Sequence, residues 1–309
     1  MSNAPKKHHF LPQSYLKGFQ IGNRNKNPKI FVYEKGKTAF VYPASIKNTA
    51  CIGDYHTIKV EDINDRSTIE TIFSQMEDEI IQNIRAITKS EKIDKQSKIT
   101  LAITLLFFKS RVPQNLEMFR KFFQRTLEGV AEANFRVNNT DLKGSFNDNF
   151  NLTVYNNFPL FMMFNSVFKE ERIADLCCRN FSLLKAPKDN YFVCSDAPVS
   201  YYVPNYKGGR GVGLLCPDLE IFLPLNSSYG LLCSNNDISE LKELTINELN
   251  EYNRRTIITA EKYIFGNEIN SNIQKLILDN LKEFSGIIYH DFDTIDGRFQ
   301  YAAYIPVTS

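Results

Sequence analysis

The chain lacks most of the marks by which a sequence declares its chemistry. It has no Walker loop, no dinucleotide fingerprint, no Gly-x-Ser-x-Gly elbow and no zinc-finger spacing, which sets aside the enzyme classes those motifs identify. Its six cysteines (Cys51, Cys177, Cys178, Cys194, Cys216, Cys233) form no Cys-x-x-Cys pair, and several stand in apolar runs such as Leu231-Leu-Cys233. They read as buried, reduced thiols, and a reducing cytoplasm is the expected compartment. Long apolar runs are missing too: Leu101 to Phe108, with Thr104 inside it, falls far short of the roughly 20 residues that span a bilayer. The brief apolar stretch after Lys6-Lys-His-His9 does not read as a signal peptide, and no membrane partner is expected. Charge of one sign is also scarce. A net +2 gives no bulk reason to expect nucleic acid, so such a partner would be held by a local patch.

What is present suits an ordinary folded protein. The 309 residues are 43% apolar, with no low-complexity tract or repeat period, and a chain of this size buries roughly 75% of its unfolded surface. Leu11 to Phe19 reads as a short helix, Lys29 to Tyr33 and Thr38 to Tyr42 as a hairpin, and His56 to Val60 as a third strand. Ser67-x-x-Glu70 is a capping-box pattern, followed at helical spacing by Ile69, Ile72, Phe73, Met76, Ile80, Ile84 and Ile87. The next helix, about Gln96 to Arg111, is apolar nearly all round and hence central, and Pro113 stops it. Helices over about Gln114 to Phe135 and Phe158 to Cys178 follow, separated by an Asn-rich loop. From Phe181 onward short strands dominate, among them Tyr191 to Cys194, Leu219 to Leu223 and Tyr229 to Cys233, with one helix opened by the capping box Thr245-x-x-Glu248 and running to about Ile264. The pattern is α+β: a mixed, largely antiparallel sheet from the N- and C-terminal thirds with a helical middle layer. A single domain over 1–309 is expected, with layers 1–66, 67–180 and 181–309.

Few residues stand out as chemistry. Two of the four histidines, His8 and His9, are adjacent in Lys6-Lys-His-His-Phe-Leu-Pro12. A solvated basic end explains them blandly, but Phe10, Leu11 and Pro12 would anchor the pair against the body, and histidine suits proton transfer near neutral pH. Glu70 and Glu77 lie two turns apart and interrupt an apolar face. The capping box accounts for Glu70, whereas Glu77 needs a cation or donor. Arg111, ending the central helix, is either a partner of the helix dipole or the holder of an anion or carboxylate. Asp196 follows an apolar strand, in Ser195-Asp-Ala-Pro198, where a reactive group and a turn former are equally at home. Asn253 interrupts the apolar stripe of its helix one turn from Asn250, and such amides more often satisfy buried backbone. The loop Tyr201 to Gly211, containing Arg210, mixes aromatic, basic and glycine residues as a single-strand contact would, although a flexible connection explains it as well.

The ordered set says more than its members. The His-His-x-x-Pro start, Tyr55, the Glu70/Glu77 pair, Arg111-x-Pro113, Ser195-Asp-x-Pro198, Phe222-Leu-Pro-Leu225 and Asn250 together resemble the DUF4238 family across nearly the whole chain. The opening Lys7-His-His-Phe-Leu-Pro-Gln-Ser-Tyr-Leu-Lys-Gly-Phe19 looks most like the family's opening signature, Cys51-Ile-Gly-Asp-Tyr55 fits more loosely, and specificity comes from the number and order of the motifs. The resemblance implies a fold and supplies no mechanism.

Three functions compete. In the first, a hydrolase gathers His8, His9, Asp196, Arg111 and Glu77 as catalytic groups, with Tyr55, Ser195, Asn250, Asn253 and Arg210 contacting substrate. The contents suit phosphodiester cleavage of RNA or DNA, either by histidine acid and base with Arg111 stabilising an anionic transition state, or by a divalent metal held by the histidines and a carboxylate. The second is a non-catalytic module holding a small anionic ligand or peptide in the same pocket. The third is a buried polar network that only fixes the fold.

Overall fold

The structure, a computed structural model, describes residues 7–22, 26–60, 63–65, 68–138, 168–208, 211–294 and 297–308. Strand β1 (Lys7–His9) leads into helix α1 (Gln13–Leu16) and a 3-10 turn over Lys17–Phe19, followed by the antiparallel pair β2 (Lys29–Glu34) and β3 (Val41–Ser45). Strand β4 (Cys51–Gly53) returns to pair with β1, and β5 (Ile58–Val60) pairs with β6 (Ile63–Asp65). The middle is helical: α2 (Thr68–Ser90), α3 (Lys95–Ser110), α4 (Pro113–Asn138) and the short α5 (Glu170–Cys177). The last third carries β7 (Asn180–Lys185), β8 (Cys194–Ser195), β9 (Ser200–Tyr202), β10 (Glu220–Pro224), β11 (Tyr229–Ser234) and β12 (Leu241–Glu243). Helix α6 (Ile246–Thr259), β13 (Tyr263–Gly266), α7 (Ser271–Asp279) and the hairpin of β14 (Gly286–Thr294) with β15 (Gly297–Ile305) complete it.

The fold is α+β. A four-stranded sheet in the order β3-β2-β13-β8 joins the first and last thirds of the chain, as the pattern predicts. A single sheet does not hold all the strands. A five-stranded sheet, β12-β7-β11-β10-β9, comes wholly from the last third and is antiparallel except where β12 runs beside β7. The apolar helix α3 lies in the centre, with Leu101, Ala102, Phe107 and Phe108 all fully buried, in one cluster with Leu11, Phe19, Leu183, Phe222 and Leu231. Full burial of each of Leu101, Phe107 and Phe108 contributes about 1.5–3 kcal/mol, and the shared cluster packs this helix with residues from both ends of the chain. Asp94 caps α3 by accepting from the Ser97 amide at 2.7 Å, and Pro113 takes the first position of α4, where its missing N–H costs nothing.

Several local expectations are corrected. Ile72 is exposed although it falls on the expected α2 stripe. The six thiols are all free, but Cys178 is exposed and only Cys194 and Cys233 are fully buried. The expected strand from Tyr191 is reduced to Cys194–Ser195, because the side-chain amide of Asn253 replaces a neighbouring strand: it accepts from the Val193 N–H at 3.0 Å and donates to the Tyr191 carbonyl at 3.0 Å. Helix α6 ends at Thr259, short of Ile264, and the chain enters β13 instead. The third expected strand starts at Ile58, leaving His56 in a turn closed by the Thr57 amide on the Asp54 carbonyl at 3.1 Å. Of the helix expected over Phe158 to Cys178, residues 158–167 lie outside the described residues, as do Ser67 and Arg210. No helix among the described residues is long and apolar enough to cross a membrane.

Candidate functional site

Strand alternation decides which histidine of the pair faces inward. In β1, Lys7 is exposed, His8 is fully buried opposite Ile52, and His9 is half-buried. The strand is anchored as expected by Phe10 and Leu11, both in the core, while the Pro12 carbonyl accepts the Tyr15 and Leu16 amides at 3.1 Å. Beyond β4, Asp54 adopts φ 52°, a left-handed conformation that aspartate tolerates, and the turn brings His56 onto β1. The His56 N–H donates to His8 Nδ1 at 2.8 Å, so a neutral His8 carries its proton on Nε2. The two imidazoles stack with centroids 5.5 Å apart, and His56 meets the ring of Phe73 edge-on at 4.7 Å.

Helix α2 supplies the third member. Glu70 lies one turn before Phe73 on the same face, and its Oε1 hydrogen-bonds His56 Nδ1 while standing 3.9 Å from His8 Nδ1. One carboxylate oxygen is thus placed between two imidazole nitrogens. The ligand atoms of His8, His56 and Glu70 all lie within 4.8 Å of one another, and both imidazoles are buried while the Glu70 side chain is 30% exposed. On the far side of the ring, His56 Nε2 is buried without a hydrogen-bond partner. Burial depresses the His56 pKa to about 4, against the pull of Glu70, so the imidazole is neutral at neutral pH. Burial pushes the Glu70 carboxyl up, but its bond to His56 and the surrounding positive charge outweigh this, and it lies below the usual carboxylate range. His56 and Glu70 therefore meet as neutral imidazole and ionised carboxylate.

Arg111 forms a second layer behind it. Its guanidinium is 1% exposed, donates from Nη1 to Glu77 Oε1 at 2.6 Å and from Nη2 to the His9 carbonyl, and lies between the rings of Phe73 and Phe107 at 4.6 and 4.5 Å. The Arg111 carbonyl accepts the Tyr55 hydroxyl at 3.1 Å. One side chain thus ties α3 to α2 and β1, and its charge is felt at His9, His56 and Glu70. Burial raises the Glu77 carboxyl despite the guanidinium beside it, the direction expected of a carboxylate drawn into the core. Of the two roles open to Arg111, the structure gives it the carboxylate.

The other expected residues are engaged elsewhere. Asp196 accepts the amides of Glu261, Lys262 and Tyr263 at 2.9, 2.8 and 3.0 Å, which is what ends α6 and turns the chain into β13. Ser195 Oγ accepts from the Ala197 amide at 3.3 Å, and Asn253 bridges Tyr191 and Val193. Asn250 is half-buried on α6. His9 places Nε2 3.2 Å from the Lys47 carbonyl, and burial lowers its pKa. His56 was not among the residues expected from the sequence, although it is one of only four histidines and follows Tyr55 directly. Its place in an apparent strand concealed it, and the capping-box pattern gave Glu70 a sufficient role of its own.

Comparison with known proteins adds a family and no activity. Residues 7–269 match the model of the family described as "Protein of unknown function (DUF4238)". No curated protein and no solved structure matches the chain.

Proposed function

Because the chain belongs to the DUF4238 family, whose description names no reaction, we propose its function from the site: a hydrolase of phosphodiester bonds, nuclease-like toward RNA or DNA, centred on His8, His56 and Glu70. The observation that carries the reading is the convergence of His8, the neutral imidazole of His56 and the ionised carboxylate of Glu70 in front of Arg111. Lone pairs in that state take a proton from water or hold a cation that polarises it. His9, next in the strand, points away from His8 and keeps Nε2 on the Lys47 carbonyl, so in this reading the leaving oxygen takes its proton from water. Arg111 acts from behind by positioning: paired with Glu77 and bonded to the His9 carbonyl, it holds β1 and α2 in register around the cluster, and Tyr55 fixes its backbone. In this reading Asp196, Ser195 and Asn253 fix the scaffold, and Asn250 and Arg210 are candidates for substrate contact.

The test is cleavage of RNA and DNA oligonucleotides and of bis-p-nitrophenyl phosphate by the purified chain. His56→Gln should lower turnover about 100-fold or more with the melting temperature little changed. No cleavage of any of the three by the wild-type chain would sink the hydrolase.

A further inference from the structure

We propose that His8, His56 and Glu70 form a binding site for one divalent transition-metal ion of zinc type. The inference takes its site from the reading above and names what activates water there. Two imidazoles and one carboxylate suit zinc and its neighbours, whereas calcium and magnesium prefer oxygen ligands throughout. Three protein ligands that leave a fourth position open are the pattern of catalytic rather than structural zinc.

The geometry is near what a metal requires. Ligand bonds of about 2.0–2.2 Å at a tetrahedral centre set the donor atoms roughly 3.4 Å apart. Glu70 Oε1 is already in contact with His56 Nδ1 and is 3.9 Å from His8 Nδ1, and all three donors lie within 4.8 Å of one another, so side-chain shifts of up to about 1.4 Å close the set. The metal takes the place of the proton between His56 Nδ1 and Glu70. That proton moves to Nε2, the ring nitrogen now buried without a partner, and the imidazole stays neutral. His8 Nδ1 exchanges the His56 N–H for the metal, and this is the cost of ligation. The part-exposed Glu70 is the way in, and the packing of His56 against Phe73 and Tyr55 holds the ring in place.

The test uses the full chain stripped with a chelator and titrated with Zn²⁺ alone by calorimetry, and with Co²⁺ by visible absorption. The expected result is one ion per chain with the visible bands of four- or five-coordinate cobalt. His56→Asn and Glu70→Gln should each weaken binding about 100-fold or more, since even residues that only orient metal ligands contribute 10–100-fold. His290→Asn, on β14, should bind as the wild type. No stoichiometric uptake overturns the proposal, as does uptake undiminished in the ligand variants; where those variants fail to fold, absence of the cobalt bands in the wild type overturns it. Cleavage that persists in excess chelator removes the metal and leaves the hydrolase, whereas one bound ion without cleavage leaves the metal and removes the hydrolase.

Discussion

Arg111 carries the largest energetic consequence of any single side chain near the site. Its charge is buried between two phenyl rings, and the Glu77 carboxylate opposite it is only 22% exposed. Removing one partner of such a pair strands the other: Arg111→Met should cost about 3–5 kcal/mol in urea denaturation. Arg111→Met combined with Glu77→Leu should recover most of that loss, because no charge is then left unpaired. A double variant as unstable as the single one would show that the His9 carbonyl and the ring stacking matter more than the ion pair. The sequence made part of this legible. A carboxylate on an apolar helix face required a cation, and a helix apolar all round required its terminal arginine to be inside. The pairing of His8 with His56 was not legible, since it depends on a left-handed turn at Asp54 that no local pattern announces.

Among the elements, β8 and β13 show how side chains from elsewhere redraw strand and helix ends. Tyr191 to Cys194 has the composition of a strand, yet its backbone groups are met by the Asn253 amide on α6, which mimics one residue of a neighbouring strand. Asn253→Leu leaves the buried Val193 N–H and the part-buried Tyr191 carbonyl unpaired and should cost about 2–4 kcal/mol in chemical denaturation, at about 1–3 kcal/mol for the buried group and about 1 kcal/mol for the other. A cost below about 1 kcal/mol would mean that the segment re-pairs by another route. Helix α6 has a legible start, since the Thr245–Glu248 capping box forms in full, but its end was illegible. What stops it is Asp196, far away in sequence, taking the three amides that would otherwise continue the helix. Periodicity records propensity along the chain and is blind to such distant acceptors.

At the scale of the whole molecule, the layering was readable because it follows from where apolar residues concentrate, while the division into several sheets follows from strand partners that composition does not specify. The last third docks on α3 through a half-buried lysine whose amine is enclosed by two rings. Lys109 Nζ donates to the Val199 carbonyl at 3.3 Å and lies over the rings of Tyr304 and Tyr201 at 3.8 and 4.6 Å. Burial depresses its pKa to about 7, although the two rings favour the charged form. The unfolded chain keeps this proton to about pH 10.4, so from about pH 7 upward the unfolded state binds more protons and stability should rise with pH until tyrosine ionisation begins. Lys109→Met should flatten that rise between pH 7 and 9.5 in denaturation curves; an unchanged slope would place its source elsewhere. Chain ends ordinarily fray at almost no free-energy cost. Here β1 cannot lift away without releasing the Arg111 bond to the His9 carbonyl and baring His8, so the opening free energy of this short strand is coupled to that of α2 and α3. Strand β1 thereby opens together with the interior, and the cluster it helps build lasts as long as the fold does.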